Sequence, residues 1–236
     1  MTDGAFHTTR WSLVQRLASG DPEAARRALD ELCELYWQPL YAFARRRGLP
    51  EPEALDAVQS FCAQLLERGG PGGADRDRGR FRSYLLGAFR HHQDNLRRHE
   101  RVARRGGGAV RWSFDDAERR YGQRAAAEES PERAFERSWA MALLERATAR
   151  LREEYAARGR QQLLAQLEPT LLGSDDAVPH QRIADELQTT EGAVKAALHR
   201  MRRRMGELIR DEIGQTVLEQ AEVDEELRHL LAVLAR

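Results

Sequence analysis

Apolar residues recur at intervals of three and four along almost the whole chain, and the strict apolar–polar alternation of a half-buried strand is absent. That spacing puts one apolar stripe on a helix, so the expected fold class is all-α. The 236 residues suffice for two modest helical domains, each burying its own core, joined by a flexible linker and followed by a tail.

Start and stop signals order the helices. Thr8 and Thr9 can cap a short first helix carrying Trp11, Val14 and Leu17, which ends near Ser19-Gly20. Asp21-Pro22-Glu23 then supplies an N-cap, a proline at the first helical position and an acid near the positive end of the helix dipole. This helix should bury Leu29, Leu32, Tyr36, Leu40 and Phe43, and Gly48-Leu49-Pro50 should close it. The next, from about Pro52 to Glu67, should bury Ala54, Val58, Phe61 and Leu65 antiparallel to it. Residues 69–80 hold five glycines and a proline, too costly for a helix, and form a loop displaying Arg76, Arg78 and Arg80. A helix from Phe81 to about Arg104 carries Phe81, Leu85, Ala88 and Phe89 on one side, and Gly106-Gly107-Gly108 ends it. Ser130-Pro131-Glu132 opens a second helical group with Phe135, Trp139, Leu143, Ala147, Leu151 and Tyr155, then Leu163, Leu164 and Leu167. The expected organisation is an N-terminal helix over 1–20, a first domain over 21–105, an acidic linker over 106–130, a second domain over 131–210 and an acidic helical extension over 211–236.

Lys plus Arg and Asp plus Glu both number 38, so the net charge is zero, but the average conceals blocks of opposite sign. Eleven arginines lie between Arg76 and Arg111 against Asp77, Asp94 and Glu100; six Lys and Arg residues lie between Lys195 and Arg210 against Glu207 alone. The sign reverses at Asp115, Asp116, Glu118, Glu128, Glu129 and Glu132 and again from Asp211 to Glu226. Two separated basic modules with acidic connectors imply two nucleic-acid contacts at a distance. No run reaches the roughly 20 apolar residues of a membrane span, and the start MTDGAFHTTRW lacks the pattern of a secretory signal, so a soluble cytoplasmic protein without a membrane partner is expected. Cys33 and Cys62, both in apolar helical patterns, read as reduced core thiols.

The densest signal is HQRIADELQTTEGAVKAALHRMRRRMGEL, from His180 to Leu208. A first helix turns Ile183, Ala184 and Leu187 inward, Gln188-Thr189 make the turn, and Thr190 caps a second helix with Val194, Leu198, Met201, Met205 and Leu208 inward. This is a helix-turn-helix pattern, in which small Ala184 permits a close crossing. The outer side then presents Glu191, Lys195, Ala196, His199 and Arg203, flanked by Arg200 and Arg202, where a recognition helix meets the major groove. Glu191 suits a cytosine amine, Lys195 and His199 suit base edges or phosphates, and Arg203 and Arg204 suit phosphates.

Together these motifs resemble the extracytoplasmic-function sigma factors of bacterial RNA polymerase, over roughly residues 25–105 and 131–210. Asp56-Ala-Val-Gln59-Ser-Phe61 is similar to the family's region 2.2 signature, with Ser60 where an acid is usual. Phe81-Arg-Ser-Tyr84-Leu85 followed by Asn95-Leu-Arg97-Arg98 is similar to regions 2.3 and 2.4, with Tyr84 for Trp, His91 for Asn and Asn95 for Asp. Thr190-Glu-Gly192-Ala-Val194-Lys195-Ala-Ala-Leu198-His199-Arg200 is similar to region 4.2, the most specific of the three matches, with Ala196 and Ala197 in place of Ser-Arg and Gln188 in place of a common turn glycine. The resemblance implies that Asp56, Gln59 and Ser60 bind the polymerase clamp helices, with the flap as a further partner surface. It implies that Arg80, Arg82, Arg90, Arg97, Arg98 and Arg101 neutralise backbone at the minus-10 element, with Tyr84, His91 and Asn95 as base contacts. Tyr84 is equally suited to the core, given its spacing with Phe81 and Ala88. Thr190, Glu191, Lys195, Ala196, His199, Arg200 and Arg203 are implied at the minus-35 element.

The implied partners are core RNA polymerase, duplex promoter DNA, the single-stranded non-template strand, and a regulator such as an anti-sigma factor. No catalytic residue, metal set or cofactor is expected: no nucleophile has a positioned base, and adjacent His91 and His92 must point different ways on a helix. The rival that keeps DNA binding without polymerase is an autonomous helix-turn-helix regulator; a purely helical adaptor leaves the separated arginine modules unexplained. The tail carries Val223, Leu227, Leu230, Leu231 and Leu234 on an acidic helix, expected to fold back on the second domain over its recognition helix or to dock a regulator.

Overall fold

A computed structural model describes residues 19–67, 81–100, 118, 121–122, 129–173, 178–215, 217 and 222–235, and every extended element among them is helical. The expected helix at residues 8–19, the loop at 69–80 and residues 101–117 lie outside the described residues, apart from Ser19. The described chain divides into two compact units, Met1–Ala142 with Ile213–Arg236, and Leu143–Glu212.

In the first unit, α1 spans Pro22–Arg46 and begins as its sequence dictates: Asp21 Oδ1 accepts from the Glu23 amide at 3.0 Å, Pro22 occupies the first turn, and Glu23 meets the dipole. Pro39 lies inside α1 without ending it. The missing amide and ring clash cost about 3 kcal/mol, offset by a stripe in which Leu29, Leu32, Tyr36, Leu40 and Phe43 are fully buried. The helix closes at Gly48, φ +87°, where the Gly48 amide donates to Arg45 O and the Leu49 amide to Ala44 O, the paired bonds of a Schellman turn.

Helix α2, Glu51–Glu67, buries Ala54, Val58, Phe61 and Leu65 as expected, with Ala57 and Cys62 on the same side. Cys33 and Cys62 are both free and buried, their sulfurs 3.3 Å apart; the hydrogen bond with Cys62, together with burial, pushes the Cys33 thiol far above its ordinary range. Helix α3, Phe81–Glu100, sends Phe81, Leu85 and Phe89 into the same core. Phe81 meets Tyr36 edge-on at 5.4 Å, and Phe89 meets Phe61 at 5.2 Å and Phe43 at 6.1 Å.

Two further segments complete this unit. Helix α4, Pro131–Ala157, contributes its first turns, with Phe135 and Trp139 fully buried, and the rest of the helix belongs to the second unit. The predicted domain break at 106–130 thus differs from the compact division, which falls within α4. The tail helix, Val223–Leu234, also belongs to the first unit and buries Val223, Glu226 and Leu230. The sequence places the tail back on the domain over 131–210; it meets Glu136 of that span through His229, and it also meets Arg82 of the 21–105 span through Glu226, both partners lying in the first unit and not on the recognition helix.

The second unit packs the later turns of α4 with α5 (Gln161–Leu171), α6 (His180–Glu186) and most of α7 (Glu191–Gly214). The tail helix, Val223–Leu234, is α8. The core of the second unit joins Leu151 and Tyr155 to Leu164, Leu167, Ile183, Ala184, Val194, Leu198, Met201, Met205 and Leu208.

Candidate nucleic-acid interface

Helices α6 and α7 build the helix-turn-helix. Ile183 and Ala184 are fully buried in one cluster with Val194, Leu198 and Met201. The turn is a Schellman closure: the Gln188 amide donates to Asp185 O at 3.3 Å and the Thr189 amide to Ala184 O at 2.9 Å. Gln188 takes the left-handed position that glycine usually fills, φ +51°, and is the one non-glycine residue with positive φ among those described. Thr190 Oγ1 then accepts from the Ala193 amide at 3.2 Å, capping α7.

The side of α7 away from the core holds every residue predicted there. Thr190, Lys195, Ala196, His199, Arg200 and Arg203 are exposed and Glu191 is half-buried, whereas Ala197, the other alanine of the pair, is buried. Lys195 Nζ lies 2.7 Å from Glu191 Oε1, and that hydrogen bond holds the Glu191 carboxyl below its ordinary range. From Lys195 to Arg203 is about 12 Å along a helix axis, comparable to the width of a B-DNA major groove. Arg204 behaves differently from Arg203. Its guanidinium bonds both carboxylate oxygens of Glu154 on α4, at 2.6 to 3.2 Å, and Glu207 at 2.8 Å, so it clamps α7 to α4 and is engaged in place of the predicted phosphate contact.

On α3 the predicted residues divide. Arg82 is 3% exposed: its Nε bonds Glu136 Oε1 at 3.1 Å and Oε2 at 3.0 Å, its Nη1 pairs with buried Glu226, and its guanidinium lies 4.6 Å from the Trp139 ring centroid. A guanidinium so enclosed cannot also meet a phosphate in this conformation. Arg90 is exposed but paired with Glu132. His91 is exposed and shares a 3.0 Å hydrogen bond with half-buried Asn95 one turn on, so these two polar groups remain together at the surface. Tyr84 is half-buried, and burial pushes its phenol above the ordinary value. Arg97 and Arg98 lie on α3 with undescribed side chains; Arg80 and Arg101 lie outside the described residues.

The α2 residues form a third surface. Asp56 is exposed and Gln59 half-buried. Ser60 has internal partners: Oγ donates to Ala57 O at 3.1 Å and lies 2.9 Å from His92 Nε2, while His92 Nδ1 lies 3.2 Å from Gln64 Oε1. Asp56 and Ser60 line a surface groove with Leu49, Glu53, Gln93 and Leu96. His91 and His92 do point different ways, outward and inward. The inward role of His92 is signalled by its position three residues after Phe89.

One cluster has no forewarning in the helical pattern. Arg45 Nη2 lies 2.7 Å from Glu118 Oε1, Tyr41 donates its hydroxyl to the same carboxylate, and the Arg45 guanidinium stacks 5.4 Å from the Tyr121 ring centroid. Burial raises the Glu118 carboxyl, but hydrogen bonds from Arg45 and Tyr41 outweigh it and hold Glu118 below its ordinary range. Residues expected in an unstructured linker thus anchor on α1.

No helix of the described residues is long and apolar enough to cross a membrane. No protein-family model, curated protein or solved structure matches the chain.

Proposed function

We propose that this chain is a transcription initiation factor of the sigma type: it binds bacterial core RNA polymerase in the cytoplasm, directs it to minus-10 and minus-35 promoter elements, assists melting, and catalyses no reaction itself. The observation that carries this reading is the outer face of α7. There Lys195, His199, Arg200 and Arg203 stand exposed on one side of a capped helix whose opposite side is locked to α6. Cations on a rigid element gain affinity by releasing counterions from DNA, and a residue such as Glu191, freed from Lys195 by a phosphate, can accept from a base amine.

An initiation factor also needs a polymerase-binding surface, and the exposed Asp56 beside Gln59 on α2 suits one. Ser60, turned toward His92, supports that surface by positioning rather than by contact. His91, Asn95 and Tyr84 on α3 are the candidates for holding unpaired bases.

The test is association of the purified full chain with bacterial core polymerase, with Asp56→Arg/Gln59→Ala as control. Association lost by the double variant is the expected result; no association would favour the autonomous helix-turn-helix regulator. That second reading draws support from Arg82, which is buried against Glu136 and Glu226, whereas Lys195 and Arg203 on α7 stay exposed even while paired with Glu191 and Glu207.

A further inference from the structure

Arg82 is enclosed by two segments distant in sequence, α4 with Glu136 and Trp139, and α8 with Glu226. The α8 attachment combines apolar and charged contacts. Val223 and Leu230 are buried and Leu227, Val233 and Leu234 half-buried, Glu226 is 1% exposed, and His229 Nε2 lies 2.8 Å from Glu136 Oε2. Leu231 stays 57% exposed, so the apolar stripe of α8 is incompletely covered. A helix of 12 residues has little stability of its own. A buried ion pair, moreover, contributes less net stability than an apolar contact of the same size, because both ions must be desolvated. An arrangement of this kind yields readily to a competing anion that offers Arg82 an equivalent partner.

We propose that α8 is a latch in cis: Glu226 stands in for a nucleic-acid phosphate on Arg82, and single-stranded DNA displaces α8 to reach that guanidinium on its Trp139 platform. The proposal rests on α3 being a nucleic-acid face. It replaces a covering of the recognition helix with a covering of α3, and it makes the single-strand contact conditional while the α7 face stays open.

The test uses the full chain and a fluorescent 20-nucleotide oligothymidylate. Glu226→Gln removes the competing carboxylate and adds no cation. Leu230→Asp removes an apolar anchor and adds a negative charge, so a gain in DNA affinity by that variant cannot come from added positive charge. Both are expected to bind the oligonucleotide about tenfold more tightly than the parent chain, with faster amide exchange in α8 and unchanged exchange in α1 and α2. Adding Arg82→Gln to either should abolish the gain. Unchanged affinity with α8 released, a gain that survives loss of Arg82, or an α8 still protected in both variants would each overturn the latch. Core-polymerase association of the parent chain reports separately: its absence alongside the DNA gain removes the initiation-factor reading and keeps the latch, and its presence without the gain does the reverse.

Discussion

Gln188 holds a backbone conformation in which a Cβ crowds the following carbonyl, at φ +51° in the turn between α6 and α7. Glycine there relieves the strain but adds freedom to the unfolded chain, so the two effects partly cancel. Relief of about 1–2 kcal/mol of left-handed strain less about 0.4–1 kcal/mol of unfolded-chain entropy leaves Gln188→Gly more stable, read as a rise in the urea midpoint, whereas Gln188→Val should lower it. Glu154 gives a pH signature. Its hydrogen bonds from Arg204 hold the folded-state carboxyl below the ordinary 4.5, so the pair's contribution is complete above that value and is lost as pH falls through the lower folded-state value. Glu154→Gln should therefore lower the urea midpoint at pH 7 and differ less from the parent chain in strong acid. Arg82 shows its importance on removal. Arg82→Ala leaves two carboxylates facing each other around a cavity beside Trp139, a change expected to cost about 3 kcal/mol, measurable by chemical denaturation.

At the level of the helix, α7 makes a graded prediction. If Lys195 and Arg203 contact phosphates, Lys195→Ala and Arg203→Ala should each weaken duplex binding at low salt and reduce the salt slope by about one. Arg204→Ala should instead destabilise the second unit, since that guanidinium joins α7 to Glu154 of α4. The difference between these neighbours shows where the sequence is legible. The three-and-four spacing marks both faces of α7, and Val194, Leu198, Met201, Met205 and Leu208 are buried as that spacing requires. An arginine at the edge of the stripe, however, can pair inward or reach outward, and only the position of Glu154 decides. The burial of Arg82 is legible in its spacing: it lies three residues before Leu85 and seven before Phe89, on their side of α3. Glu226 likewise follows Val223 by three and precedes Leu230 by four. Opposite charges, each on an apolar stripe, signal a buried partner that charge counting alone conceals.

Across the whole chain, helix starts and stops are local events, so Asp21, Gly48 and Thr190 announce them; which helix joins which unit depends on contacts distant in sequence. That is why the tail's apolar stripe is legible whereas its place in the first unit is not, and why Glu118 and Tyr121 pass for linker although they bind Arg45 and Tyr41 of α1. The same distinction applies to function. Residue types and spacing mark the α7 face and the Asp56 surface as candidates, and the proposed initiation role requires that both act with polymerase. The most direct measurement is therefore transcription by bacterial core polymerase from a library of randomised double-stranded templates, with and without this chain. Transcripts that require the chain, arise from templates sharing two separated sequence elements, and fall away with Asp56→Arg/Gln59→Ala and with Lys195→Ala/Arg203→Ala are the predicted result. Transcript output identical with and without the chain, under conditions where the chain still binds duplex DNA, would contradict the account.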